Sequence, residues 1–581
     1  MKQLIAQFLD AALDRTPELR PLIGELALEA TIERTRDAGH GDFASNLAMR
    51  LAKPANRKPR ELAEAVVAQM PESELLDRVE IAGPGFINFH LVDRAFHVEL
   101  ERMLEQGEDY GRQPLRQTPK VLLEFVSANP TGPLHVGHGR LAAYGATVGA
   151  LLEAAGFPVY REYYVNDAGR QMDILGVSVW LRWLESRETE FNFPSAGYRG
   201  DYIRDIAAEI TVDASATVGA DTLFEDVPAD EPAGDKEAHI EALIDKARQL
   251  LGEEGFDAIR HQALESIRED IEDDLAGFGV HFDRWYSERS LIEDDRIERA
   301  LAVLDGRGML YRKDGATWFK ASNFGDEKDR VVVRENGAKT YFASDIAYHY
   351  DKRVRGFDRL VNIFGADHHG YVTRVKAGLT AMGYAAEDLE IELVQFVALY
   401  RGGKKLAMST RAGEFVTLRQ LREEVGNDAA RFFYVMRSND QHLDFDLELA
   451  KSRSNDNPVY YIQYAHARIA SVFRQLADKS LAWDRGGARL DRLTEPEERL
   501  LMRSLSRYPE VLALSAAKLA PQHLVHYLRD LANDFHSYYN AHVFIVEDAA
   551  LRDARLTLCA ATRIVIANGL GILGVSAPEA M

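Results

Sequence analysis

The sequence predicts an α/β protein: a doubly wound parallel sheet, preceded by a smaller α+β unit and followed by an all-helical unit. Three observations predict this. From about residue 118 to 400, short apolar stretches alternate with helix-length periodic segments, the rhythm of βαβ units. Residues 1–115 mix helical patterns with short apolar runs around a Gly83-Pro84-Gly85 turn. Beyond about 425 the chain is periodic at helical spacing to its end, as in a bundle. The expected division of the 581 residues is 1–115, 116–450 and 451–581, with the sheet interrupted at about 185–335.

The elements follow in order. Lys2–Leu13 and Pro59–Met70 read as helices, and Val79–Ala82 and Phe86–Phe89 as a pair of strands. Val121–Val126 is a short apolar strand. A helix from about His138 to Ala155 follows and stops at Gly156. Val159–Val165 is the next strand. Further on, Asp345–Val354 is helical and Leu360–Phe364 is a buried strand. Tyr371–Met382 is a helix ending at Gly383, and Ile391–Leu399 is a strand. Together these make a Rossmann-type sheet. Residues 211–245 carry ten acids against one basic residue and read as a solvated, poorly ordered surface insertion. Asp456-Asn457-Pro458 marks the break into the C-terminal bundle.

Composition excludes several classes. Apolar residues are 46% and charged residues 28% of the chain, a globular composition. The one cysteine, Cys559, rules out a disulfide framework and a cysteine zinc site. No apolar run is expected to span a membrane, and the acidic, amphipathic N-terminus does not read as a secretory signal, so a cytoplasmic protein is expected. The net charge of −22 alone argues against a polyanionic partner. Its distribution removes that objection. Residues 211–299 hold 9 basic and 25 acidic residues, a net −16, whereas 451–581 hold 16 and 14, a net +2.

The chemistry starts at Ser127-Ala128-Asn129-Pro130-Thr131-Gly132-Pro133-Leu134-His135-Val136-Gly137-His138, between a strand and a helix. A helix N-terminus presents unpaired N–H groups and attracts phosphate. Two histidines three apart share one side of the first turn, and Gly137 leaves room for a flat ring. This suits a nucleoside triphosphate, with the base near Gly137 and the imidazoles near the phosphates. Glu124 interrupts the apolar strand before this turn, where a charge is costly without a partner. Asp345 follows Tyr341 by four residues at the start of a helix beside the C-terminal edge of the sheet. Gly365-Ala366-Asp367-His368-His369 follows the Leu360 strand at the same edge, where open α/β sheets bind ligands.

His135-Val136-Gly137-His138 resembles the HIGH signature of class I aminoacyl-tRNA synthetases. The run Glu124 to His135 resembles that of arginyl-tRNA synthetases. So do Gly41-Asp42-Phe43-Ala44, Gly85-Phe86-Ile87-Asn88, Asn427 to Phe432, Asn457 to Arg468 and the tail Gly571 to Met581, which together span the chain. The resemblance implies activation of L-arginine with ATP and Mg²⁺, without a tightly bound structural metal. Arginine is then transferred to the 3′-terminal adenosine of tRNA(Arg), by the 2′-hydroxyl in class I enzymes. It also implies a need for bound tRNA in the first step, and a monomer.

By the same resemblance, Glu124 and Asp345 hold the guanidinium, Tyr341 packs beside it, and Ser127 and Asn129 hold the α-amine and carboxylate. Asp367 lies near the arginine or the ribose. His135, Gly137, His138 and Met408 contact ATP. The family's KMSKS loop corresponds to Lys404-Lys405-Leu406-Ala407-Met408-Ser409-Thr410-Arg411, where Ala407 and Thr410 replace the two lysines. The catalytic set is then His135, His138, Lys404, Lys405 and Ser409, with Lys404, Lys405 or Arg411 as the cation for pyrophosphate. Tyr460, Tyr464, Arg468 and Tyr539 are the expected tRNA contacts in the helical region, which suits stacking on unpaired bases. Two alternatives stay open on these motifs: another H-x-G-H nucleotidyltransferase, or a non-catalytic tRNA-binding relative.

Overall fold

The computed structural model describes residues 1–24, 26–35, 37–211, 218–406 and 415–581. Its centre is a five-stranded parallel sheet. In spatial order the strands are Leu389–Val394, Arg359–Gly365, Val121–Phe125, Val159–Val165 and Arg284–Ser287. Numbered along the chain this is 5-4-1-2-3, so the order reverses between the first and fourth strands. That reversal opens a crevice at their carboxyl ends. Val121–Phe125 is buried at all five positions, which is why its sequence reads as an apolar run interrupted only by Glu124.

Five expectations need correction. The edge strand Arg284–Ser287 lies inside the segment read as an interruption of the sheet. Arg-Trp-Tyr-Ser contains no apolar run. It is held by tertiary contacts instead: Trp285 stacks on Tyr163 at 4.3 Å, and Tyr286 is fully buried. The acidic segment is not irregular throughout: from Lys236 onward it is helical. The helical segment Lys236–Gly277, interrupted at Gly252 (φ 73), packs on the helix Arg170–Glu185 and buries Ile240, Leu243, Ile244 and Ala247 at helical spacing beneath an acidic face. The acid count hid that period. Residues 212–217 lie outside the described residues.

The strand expected at 391–399 is two strands, Leu389–Val394 and Val397–Arg401, broken at Gln395-Phe396. The second strand turns through Gly402-Gly403, both at positive φ as a two-residue hairpin requires, into Lys404–Lys405. It also pairs in parallel with Leu443–Asp446, a strand within the region read as wholly helical. Finally, the helix Ala549–Leu573 has a mean hydropathy of 1.7 over its most apolar window, enough by length and composition to cross a membrane. It is a core helix: 72% of that window is buried in the molecule.

Two parts meet on the helix Val136–Ala154. One side lies on the parallel sheet and another on the helical region, where Tyr144 Oη donates to Leu519 O at 2.7 Å. The N-terminal part is a four-stranded antiparallel sheet with helices. It docks on the helical region through Arg34–Glu510 (2.9 Å) and Arg499–Asp93 (2.8 Å).

Candidate active site

A cavity of about 520 Å³ opens at the reversal of strand order. Its lining includes Glu124, Ser127, Asn129, His135, Gly137 and His138 from the first strand and its turn. Tyr341 and Asp345 come from the next wall, Asp367 from the end of the fourth strand, and Gln395 and Phe396 from the break after the fifth. The residues expected at the arginine and nucleotide ends thus share one space.

The turn that starts the site is strained. Val126 has φ 68 and Ser127 φ 39, with Ser127 N–H donating to Phe125 O at 3.0 Å. A β-branched residue at positive φ costs about 1–3 kcal/mol and persists only where surroundings hold it. Here the Ser127 hydroxyl accepts from Tyr164 N at 3.1 Å and donates to Glu124 at 3.2 Å. Asn129 Oδ1 accepts from Asn166 Nδ2 at 2.8 Å.

The two histidines form a reciprocal cap. His135 Nδ1 accepts from Gly137 N (3.0 Å) and His138 N (3.3 Å), and His138 Nδ1 accepts from His135 N (3.3 Å). The rings stack with centroids 3.7 Å apart. With both Nδ1 atoms accepting, each neutral ring carries its proton on Nε2. Burial keeps the rings neutral: it lowers the pKa of His135 and pushes that of His138 down to about 3. The signature therefore offers neutral N–H donors to a phosphate. An added Cβ at Gly137 would stand 2.9 Å from the His135 ring, so only glycine fits between the pair.

Under the arginine end lies a buried polar floor. In the sheet Glu162, Glu124 and Asn362 sit side by side on adjacent strands. Apart from Ser127 on Glu124, their partners come from one helix, Tyr341–Val354, and the residue just beyond it. Lys352 Nζ donates to Glu124 at 2.5 Å and to Asn362 at 3.1 Å. Arg355 and Tyr348 donate to Glu162 at 2.6–2.8 Å, and Asn362 bonds His349 at 2.7 Å. Glu124 thus has the partner that a charge inside a strand demands, but it is not free: both oxygens are engaged within the protein. Burial lowers the pKa of Lys352 despite Glu124 and Glu162 beside it.

Above this floor the situation reverses. Asp345 and Glu288 both line the cavity, and neither carboxylate accepts a hydrogen bond among the described residues. Thr340, not Asp345, caps the helix. Burial, then Glu288 and Glu124, push the pKa of Asp345 well above the usual carboxylate range. Burial, then Asp167, push that of Glu288 up to about 7. Glu288 is held by its backbone: its N–H donates to Val165 O at 3.0 Å, while Asp167 accepts from Ser287 Oγ and from Arg289 N at 2.9 Å. Glu288, buried, and Asp345, half-buried with its carboxylate open to the cavity, have no donor among the described residues and describe a cation site, and their separate origins suit a forked guanidinium.

Tyr341 stands at the rim, 67% exposed, and Asp367 is also exposed there. Lys404 and Lys405 are exposed on the hairpin and do not line the cavity. Met408, Ser409 and Arg411 lie outside the described residues. In the C-terminal helical region, Tyr460, Tyr464 and Arg468 occupy one stripe of the helix Pro458–Asp478. Arg468 is sandwiched between Tyr464 (4.4 Å) and Tyr539 (4.7 Å). By contrast Tyr538 and His536 are buried in the bundle. Sequence reasoning missed Glu288, Asn166, Gln395 and Phe396. Asn166-Asp167 directly follows a strand of the sheet, a position that marks the crevice. Glu288 follows a strand with no apolar signal.

Three family profiles cover the chain: "Arginyl tRNA synthetase N terminal domain" over 1–91, "tRNA synthetases class I (R), catalytic domain" over 99–215 and 227–453, and "DALR anticodon binding domain" over 462–581. An arginine–tRNA ligase of Thioalkalivibrio sulfidiphilus is 56% identical over the whole of both chains. One of Legionella pneumophila is 53% identical, again over the whole of both. The fold matches the arginyl-tRNA synthetase of Thermus thermophilus with a TM-score of 0.71 at 24% identity, covering 97% of this chain and 99% of that one. The chain belongs to the arginyl-tRNA synthetase family of class I aminoacyl-tRNA synthetases.

Proposed function

We propose that this chain performs the family's arginine–tRNA ligation in the cavity at the sheet reversal. The single observation that carries the site assignment is the meeting of two unpartnered carboxylates, Asp345 and Glu288, with the capped histidine pair in one space. The guanidinium lies against Asp345 and Glu288 with Tyr341 beside it, above the Glu124–Lys352 floor. Ser127 and Asn129 take the α-amine and carboxylate, and Asp367 lies toward the ribose. ATP, entering with its Mg²⁺ bound to the phosphates, lies along Gly137 with its α-phosphate at the Nε2–H groups of His135 and His138.

The arginine carboxylate attacks the α-phosphate in line, and pyrophosphate leaves. The enzyme contributes positioning and neutral donors rather than a covalent nucleophile. Lys404 and Lys405, on the hairpin that leads toward Met408 and Ser409, supply positive charge for the leaving pyrophosphate. The 2′-hydroxyl of the terminal adenosine of tRNA(Arg) then attacks the adenylate carbonyl and AMP leaves. Tyr460, Tyr464, Arg468 and Tyr539 stack unpaired bases at the far end. The family resemblance supports action as a monomer, and the bacterial relatives support a cytoplasmic place.

The test is ATP–pyrophosphate exchange with each amino acid, with and without total tRNA. Arginine with tRNA should support exchange and arginine alone should not. Equal rates would reject the tRNA requirement, and failure of arginine with tRNA present would reject the reading of the site.

A further inference from the structure

Arg140 follows the signature by two residues and is 1% exposed. Among the described residues it has no carboxylate partner at ion-pair distance. Its guanidinium donates instead to three backbone carbonyls: Nη1 to Gln395 O and Gln441 O, both at 2.8 Å, and Nη2 to Ser438 O at 2.9 Å. Keeping a cation there is costly, and burial lowers its pKa to about 10. A residue needed only to fill space would be apolar.

The bond to Gln395 O joins two walls of the cavity, and the other two grip the segment behind the second. One wall is the first turn of the signature helix, with His135, Gly137 and His138. The other is the strand break at Gln395-Phe396. That break is braced from behind by the same segment that Arg140 grips. Gln395 N donates to Asn439 O at 2.8 Å, Leu443 N to Phe396 O at 3.1 Å, and Asn439 Nδ2 to Leu393 O at 3.1 Å. A trans peptide points its C=O and N–H in opposite directions. With Gln395 O turned onto Arg140, the Phe396 N–H points away from it. Among the described residues that N–H has no hydrogen-bond partner, and Phe396 lines the cavity and is 60% exposed.

We propose that Arg140 is a positioning residue for adenylate formation: it sets the spacing of the two walls that hold the nucleotide and turns the Phe396 N–H into the cleft as a donor. This rests on the reading that ATP lies against the signature turn. Arg140→Gln keeps a donor but loses the fork and the charge. In tRNA-supported pyrophosphate exchange, R140Q should raise the ATP KM about 10- to 100-fold, the size of a lost charged hydrogen bond. The arginine KM should stay within about twofold. Arg140→Lys keeps the charge and part of the bonding, so its ATP KM should fall between, and it serves as the test if R140Q does not fold.

Equal rises in the two KM values would mark a merely structural residue and overturn the proposal. So would a wild-type ATP KM in a folded R140Q or R140K. Gly137→Ala, measured in parallel, separates the two levels of inference. If G137A raises the ATP KM while R140Q does not, only the role of Arg140 fails. If G137A also leaves it unchanged, the reading of the nucleotide end fails and the proposal with it.

Discussion

The floor and the wall of the arginine pocket use the same chemical group in opposite ways. Glu124 and Glu162, in the sheet, are met by Lys352, Arg355, Tyr348 and Ser127. Asp345 and Glu288, in the wall above, have no donor among the described residues. A buried charge with partners is part of the fold, because removing one partner strands the other. A buried charge without partners destabilises the free protein and is retained for what binds to it. The comparison supports a proposed division in which Glu124 holds Ser127 and the strained turn in place while Asp345 and Glu288 chiefly face the guanidinium.

The largest expected effect tests the floor. Lys352→Met leaves Glu124 buried with no cation, which costs about 3–5 kcal/mol of stability. Chemical denaturation should report that loss, and adding Glu124→Gln should restore much of it, since the second change removes the stranded charge. If the single variant unfolds like the wild type, the floor is not held by this pair.

The next effect tests the wall. Asp345→Asn keeps the shape, breaks no hydrogen bond among the described residues, and removes one charge facing the guanidinium. The arginine KM should rise about 100-fold, with the ATP KM and the melting temperature unchanged or the latter slightly raised. A drop in melting temperature comparable to that of Lys352→Met would erase the distinction between floor and wall.

This distinction was only half legible in the sequence. Glu124 stands out there because a charge in an apolar strand needs a partner, but the partner, Lys352, is 228 positions away on a helix face. The histidine pair and its turn are local, so their roles follow from spacing alone. The sheet was legible where strands are buried on both faces and read as apolar runs, as at Val121–Phe125 and Leu360–Phe364. It was not legible at Arg284–Ser287, where aromatic packing across an edge replaces the apolar run, and Glu288 was lost with it. The buried seam of Lys236–Gly277 was masked because acidic residues dominate the composition while every third or fourth residue faces inward.

The smallest effect separates the two wall carboxylates from each other. Burial and Asp167 push the pKa of Glu288 up to about 7 in the free protein, and Glu288 shares the cavity with Asp345, whose own pKa it helps raise. A guanidinium binds the ionised form. Below pH 7 the free protein must give up a proton to bind arginine, and above it the carboxylate is already charged. Arginine affinity should therefore improve with pH, by about tenfold between pH 6 and 8 from this group alone. Asp345, also raised, adds to the same rise. In Glu288→Gln this pH dependence should vanish, so the affinity loss should be about tenfold larger at pH 8 than at pH 6, where the wild-type group must first give up its proton. Titration calorimetry at the two pH values reads this directly. A pH dependence that survives unchanged in E288Q would place the whole titration on Asp345 and remove Glu288 from the recognition of arginine.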